Sequence, residues 1–143
     1  LCEIQTLVFR ESAKADDSKP KLQPSPEEAS WERSLVTDSV LLFRYSALTF
    51  NGHRIHYDRS YCMEEEGYPG LLVHGPLQAT LLLDLCRRYK QGAPLKLFEF
   101  RAMCPVFDGE EIGICGIEDE GKGKLWIRGP AGEMAMSAEA SWK

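Results

Sequence analysis

One run of residues limits the folds open to this chain more than any other. From Leu77 through Leu81, Leu82, Leu83, Leu85 and Cys86 the apolar residues occupy more than one face of a helix. That is the pattern of a segment buried on most sides, not of one lying on a surface. The helix is predicted to open at about Gly75, with Pro76 in its first turn, where a missing N–H costs nothing. Arg87, Arg88 and Lys90 complement its C-terminal dipole, and Gly92 and Pro94 end it. Everything after Pro94 reads as β, with strands at Lys96 to Arg101, Glu110 to Glu118, Lys124 to Arg128 and Met134 to Trp142. One buried helix followed by an antiparallel meander implies an α+β fold with the sheet wrapped on the helix.

Upstream of that helix the signals are more local. Residues 3–10 (EIQTLVFR) alternate as a strand, whereas residues 11–33 carry Pro20, Pro24 and Pro26 among Ser, Lys, Asp and Glu, a linker composition. A strand followed by so long a linker is an odd start for a compact domain. The expectation is that residues 1–10 are left over from an upstream unit and that 34–143 form the domain. Leu1 in place of an initiating Met fits a cut boundary. Thr37 is a fair N-cap for a helix through Val40, Leu41, Leu42, Phe43, Tyr45 and Leu48, ending near Asn51-Gly52. Asp58 is placed to cap a short second helix that Gly67 closes.

Composition narrows the function classes. The 143 residues hold 17 basic and 22 acidic side chains, a net charge of −5, and phosphate-backbone binding needs a basic field, so nucleic acid is not the expected partner. The apolar run around Leu81 to Leu85 is far too short to cross a bilayer. Five scattered cysteines without C-x-x-C spacing read as reduced thiols of a cytoplasmic protein.

All three histidines, His53, His56 and His74, fall between Asn51 and Gly75. Loop histidines commonly serve structure, but three in one polar, turn-rich stretch raise the functional reading. A metal site would need carboxylate or thiolate ligands at recognisable spacings, and none stands near His53 and His56; no metal is expected. Cys62 and Ser46 lack the sequence contexts that expose a nucleophile. A third reading uses the helix start, where the Gly75 amide lies among the unpaired first-turn donors and suits a developing oxyanion. The alternative is that Gly75 only permits tight packing.

The segments FRYSALTFNGHRIHYD (Phe43 to Asp58) and YPGLLVHGPLQATLLLDL (Tyr68 to Leu85), with the later FEFR…P…GEE strands, resemble the MaoC-like hydratases of the hotdog superfamily. The resemblance covers most of residues 35–143. It is closest to the branch of mesaconyl-CoA and itaconyl-CoA hydratases and the yeast-type mitochondrial 3-hydroxyacyl-thioester dehydratase. It implies a hotdog fold, an antiparallel sheet around one long central helix. Laid on this chain, the R-specific hydratase motif Asp-x-Asn-Pro-x-His puts its His on His56 and its Asp on Asn51, with His53 and Arg54 at the Asn and Pro positions. Asn51 departs from the pattern, because an amide orients water but takes no proton.

What the resemblance implies is a hydro-lyase adding or removing water across the α,β-bond of an acyl thioester. His56, Asn51 and Gly75 would be catalytic; His53, Tyr57, Val73, His74 and Arg101 would bind substrate. His74 would chiefly tie its loop to the helix start. Coenzyme A enters only as part of the substrate, with Arg54, Arg59, Arg87, Arg88 and Arg101 as candidates for its phosphates, and no separate cofactor is expected. The partner would be an acyl-CoA or acyl-carrier thioester, and the chain would pair as a homodimer or with an upstream hotdog half. The compartment would be cytoplasmic, or the mitochondrial matrix in a eukaryote. The rivals are a hotdog thioesterase and a non-catalytic acyl-binding half.

Overall fold

The computed structural model describes residues 2–6 and 22–143. Its elements run β1 (Trp31–Val36), α1 (Ser39–Thr49), a 3₁₀ turn (Arg54–His56), a π turn (Tyr61–Glu65), α2 (Gly75–Tyr89), β2 (Leu95–Ala102), β3 (Glu111–Asp119), β4 (Lys122–Arg128) and β5 (Met134–Trp142). The five strands form one antiparallel sheet in the order β1-β3-β4-β5-β2. The α+β expectation therefore holds, and α2 starts at Gly75 as its spacing predicted.

Two expectations about the sheet are corrected. Only β3, β4 and β5 form a meander; β2 crosses the sheet to pair with β5, Phe98 opposite Ala140 and Phe100 opposite Ala138. The predicted linker ends earlier than residue 33, because Trp31–Val36 is an edge strand, Trp31 opposite Gly116. Residues 2–6 carry no strand pairing, and the rest of the predicted first strand, with much of the linker, lies outside the described residues.

The core forms between α2 and one sheet face. Leu77, Ala79, Leu82, Leu85 and Cys86 pack against Ile112, Ile114, Leu125, Ile127, Met136, Ala138 and Ala140. Each buried Leu or Ile contributes roughly 1.5–3 kcal/mol, which is why the helix needs so little local stabilisation. The period of two along the strands sends the alternate residues to the other face. Trp126 and Cys115 are buried there, outside this core, beside Ser137 and Glu32.

Helix α1 is capped by Asp38, not Thr37: Asp38 Oδ1 accepts from the Leu41 amide at 2.7 Å, while Thr37 is buried with its hydroxyl toward the Phe107 carbonyl. At its end Phe50 adopts a left-handed conformation (φ 53, ψ 30), which costs a non-glycine residue about 1–2 kcal/mol. The turn brings Asn51 N–H onto the Ser46 carbonyl at 2.9 Å. The chain then runs back toward the N-terminus of α2. Asp58 does act at the start of the following turn, accepting from the Tyr61 amide at 3.1 Å.

Candidate active site

The site is built where three chain segments meet at the N-terminus of α2. The 3₁₀ turn presents His56; the bridge between Leu72 and Phe107 fixes the strand-like approach to the helix; and α1 brings Ser46 from the other side. His56 is 7% exposed and His74 fully buried.

His56 Nδ1 lies 2.7 Å from the Leu72 carbonyl. A carbonyl only accepts, so Nδ1 carries the proton and the opposite nitrogen, Nε2, keeps its lone pair. Burial pushes the His56 pKa below the ordinary 6.5; the Leu72 hydrogen bond opposes this and the charge of His53 adds to it. The imidazole is therefore neutral at pH 7. It is a base with its free nitrogen specified by a main-chain atom.

The His74 ring stacks on His56, centroids 3.7 Å apart and planes 17° apart. Its Nε2 lies 2.8 Å from Ser46 Oγ, and Tyr45 meets it edge-on at 4.9 Å. Burial, with a smaller contribution from His56, lowers the His74 pKa to about 4. His53 is exposed and edge-on to His56 at 5.7 Å. All three predicted histidines thus gather in one cluster.

Asn51 joins it through the backbone. Its Oδ1 accepts from the His53 amide at 3.0 Å, an Asx turn that shapes the approach to the 3₁₀ turn. Nδ2 and the second lone pair of Oδ1 are left to meet a ligand. With Tyr57, whose hydroxyl donates to the Gly52 carbonyl at 2.9 Å, Asn51 lines a groove of about 290 Å3 that also takes in Phe43, Ser46 and Phe50.

Gly75 is the first residue of α2, and its amide has no partner among the described residues. A Cβ built on it would meet nothing within 4 Å. Tight packing is therefore not what Gly75 provides; open space lies beside a free donor at the positive end of a helix. Its lack of a Cβ also eases the helical conformation ahead of Pro76.

Two predicted substrate-binding residues do not join the stacked rings: Val73 precedes His74 but is buried, and Arg101 lies on the far sheet face. Val73 is a core residue, its amide donating to the Val106 carbonyl at 2.9 Å. Arg101 pairs with Ser137 and shares a groove with Trp126 on the sheet face away from α2. Of the other arginines proposed for phosphates, Arg54 pairs with Asp58, Arg59 with Asp108, and Arg87 and Arg88 with Asp84. Among the described residues no group of three or more His, Cys, Asp or Glu is placed to hold a metal ion. Two participants were not predicted in their observed parts. The Leu72 carbonyl carries no side-chain signal, and Ser46, weighed only as a nucleophile, is instead the partner of a histidine far along the chain.

The family model for hydroxyacyl-thioester dehydratase type 2 matches residues 1–108. The chain belongs to this family. It is 43% identical over 136 residues to the mesaconyl-C(4)-CoA hydratase of Chloroflexus aurantiacus, a match covering 95% of this chain and 48% of that protein. It is 35% identical over 127 residues to the mitochondrial hydroxyacyl-thioester dehydratase type 2 of Schizosaccharomyces pombe, covering 87% of this chain and 41% of that one. The chain spans about half the length of the curated relatives it matches. Among solved structures, HtdX of Mycobacterium tuberculosis superposes with a TM-score of 0.71 at 20% identity, over 90% of this chain and 50% of that one. The (R)-hydratase from A. caviae gives 0.65 at 19% identity, over 79% and 93%. The five-stranded sheet wrapped on α2 is the hotdog fold.

Proposed function

We propose that this chain supplies the catalytic half of a hydro-lyase that adds water to, or removes it from, the α,β-bond of an acyl thioester. The observation that carries the reading is the state of His56: neutral, with Nδ1–H committed to Leu72 and its ring stacked on His74, the residue before Gly75, whose amide has no partner among the described residues. In the hydration direction, His56 Nε2 takes a proton from water as the oxygen bonds to the β-carbon. The α,β π electrons move onto the thioester oxygen, where Gly75 N–H meets the developing charge. The imidazolium then returns the proton to the α-carbon as the enolate collapses. Dehydration is the same path reversed. The name of the Chloroflexus relative supports mesaconyl-CoA as the first substrate to try, and the names of the yeast relatives support the mitochondrial matrix as one compartment to test.

The test is water addition by the full-length protein across a panel of enoyl thioesters, followed by loss of the conjugated absorbance. Saturated acyl-CoA serves as the control. Release of free CoA from the saturated thioester, without hydration of any enoyl thioester, would replace this reading with that of a thioesterase.

Asn51→Ala should lower kcat about 10–100-fold, the loss of one well-placed hydrogen bond in the transition state together with the turn that holds His53. Substrate binding should change little. Asn51→Asp places a carboxylate near His56 and should move the lower limb of the pH–rate profile to higher pH. A silent Asn51→Ala with an unmoved limb in Asn51→Asp would reduce Asn51 to a turn residue.

Pairing with a second hotdog unit belongs to the same reading. Strand β2 is exposed along nearly its whole length, including Leu97 and Phe100, and on α1 Phe43 and Leu48 face solvent with Phe50, which is 96% exposed. An unpaired edge and an apolar helix face of this kind call for cover. Light scattering on residues 22–143 alone should therefore find a dimer or larger species, and a monodisperse, fully active monomer would refute the pairing.

A further inference from the structure

We propose that His74 and Ser46 form a positioning unit for the catalytic base: a tethered, uncharged ring that fixes the plane of His56 and leaves it free to take a proton. The inference rests on the hydro-lyase reading of His56, and it gives His74 a part other than substrate binding.

The geometry comes first. His74 is the N-cap residue of α2, so its backbone is held by the helix, with the Gln78 amide donating to its carbonyl at 3.1 Å. Its side chain makes no cap hydrogen bond. It turns into the protein, where Ser46 Oγ at 2.8 Å and the edge of Tyr45 fix the ring from α1. One face of that ring is then occupied by His56. His56 is thus held by the Leu72 carbonyl along one edge and by a flat, rigid neighbour on one face. The two constraints together leave its ring little rotation, and Nε2 points where the fold dictates. Reacting groups held in this way keep their alignment, and a misplacement of about 1 Å costs on the order of 10²-fold.

Charge gives the second half of the argument. When His56 accepts a proton from water, an imidazolium forms against the His74 ring. A second cation at that distance would oppose the step strongly in a buried place. The groups facing the stack are uncharged at neutral pH or lie at its rim. Tyr45 and Ser46 meet the His74 ring, the buried Gln78 side chain is turned to the Val73 carbonyl, and exposed His53 meets His56 from outside. Arg54, two residues from His56, is neutralised by Asp58. His74 Nδ1 is buried and has no partner among the described residues, so protonating this ring would strand a charge in a buried place, and the ring stays neutral. It offers the imidazolium a polarisable face in place of a repelling charge.

Two measurements on the full-length protein test this. The first needs no activity: imidazole NMR of the wild type, with pH varied from 8 to 5, should find His74 neutral throughout and His56 as the Nδ1–H tautomer. A His74 that titrates near pH 6.5 would overturn the proposal whatever the enzyme acts on. The second compares variants on any thioester the wild type turns over. His74→Asn removes the ring and wets His56, so kcat should fall on the order of 10²-fold with KM little changed, and the lower limb of the pH profile should rise toward 6.5. His74→Phe restores a flat apolar face and should recover most of that loss and bring the limb back down. Ser46→Ala, which removes only the tether, should lower kcat several-fold and serves if His74→Asn does not fold. Equal losses in His74→Phe and His74→Asn would mean that the nitrogens of His74 act directly, and unchanged kcat in both His74→Asn and Ser46→Ala would make the stack mere packing. A wild type inactive on every thioester would refute the hydro-lyase reading without touching the NMR result.

Discussion

His56→Ala is expected to lower kcat by roughly 10²–10⁴-fold, equivalent to about 3–5 kcal/mol of barrier. Of the two stacked rings, both unprotonated at neutral pH, His74 is fully buried, and His56 is the one that reaches the surface with its Nε2 uncommitted. Its removal deletes one hydrogen bond and a stacked ring but also one desolvated imidazole, so the melting temperature should move by only a few degrees. The pH dependence follows from the same residue. The active form is neutral, and burial depresses its pKa, so the lower limb of kcat/KM should lie below pH 6.5. The alanine variant should lose that limb. Turnover within about tenfold of wild type would remove His56 from the mechanism.

Gly75→Ala is expected to cost about 10²–10³-fold in kcat/KM, the range for losing one oxyanion donor. The added methyl occupies open space, so it disturbs no packing inside the chain; what it fills is the volume beside the free amide. Ala is also a better helix former than Gly, although the following Pro76 presses on any Cβ at this position. Circular dichroism should therefore report an intact fold while activity is lost. Near-normal kinetics would show that another donor meets the thioester oxygen. The two groups, base and oxyanion donor, act together in the attack of water, so the effects of the two substitutions should be far from additive in the double variant.

How much was legible in the sequence depended on the range of each interaction. Helix α2 and the strands β2 to β5 were readable because burial writes a period directly into neighbouring residues. Strand β1 was not, since WERSLV buries chiefly Trp31 and follows a proline-rich stretch that reads as linker. The crossing of β2 to β5 carries no local mark at all. At the site, the gathering of His53, His56 and His74 around Gly75 followed from motif spacing. The Ser46–His74 contact links positions 28 apart, and only the fold makes them neighbours. Arg101 lies away from the histidine cluster for a reason the sequence did contain: Phe98 packs on the core side, so Glu99 and Arg101, of the opposite parity along the strand, face away. Asn51 was read as holding water; the sequence did not show that one lone pair of its Oδ1 is taken by the His53 amide.

The order of strands has a further consequence, for the sequence of events in folding. The hairpins β3–β4 and β4–β5 close over short turns, and α2 is local by nature, so these can form early. β1 must find β3 across most of the domain, and β2 must find β5 with two other strands between them in the chain, and such closures carry an entropic cost before any contact rewards them. The histidine cluster hangs on the segment between β1 and α2, so it is completed only after those distant pieces dock. Substitutions at Ser46, His56 and His74 should then speed unfolding while leaving the folding rate nearly untouched, the mark of contacts absent from the transition state. A domain assembled in this order acquires its shape first and its reactivity last.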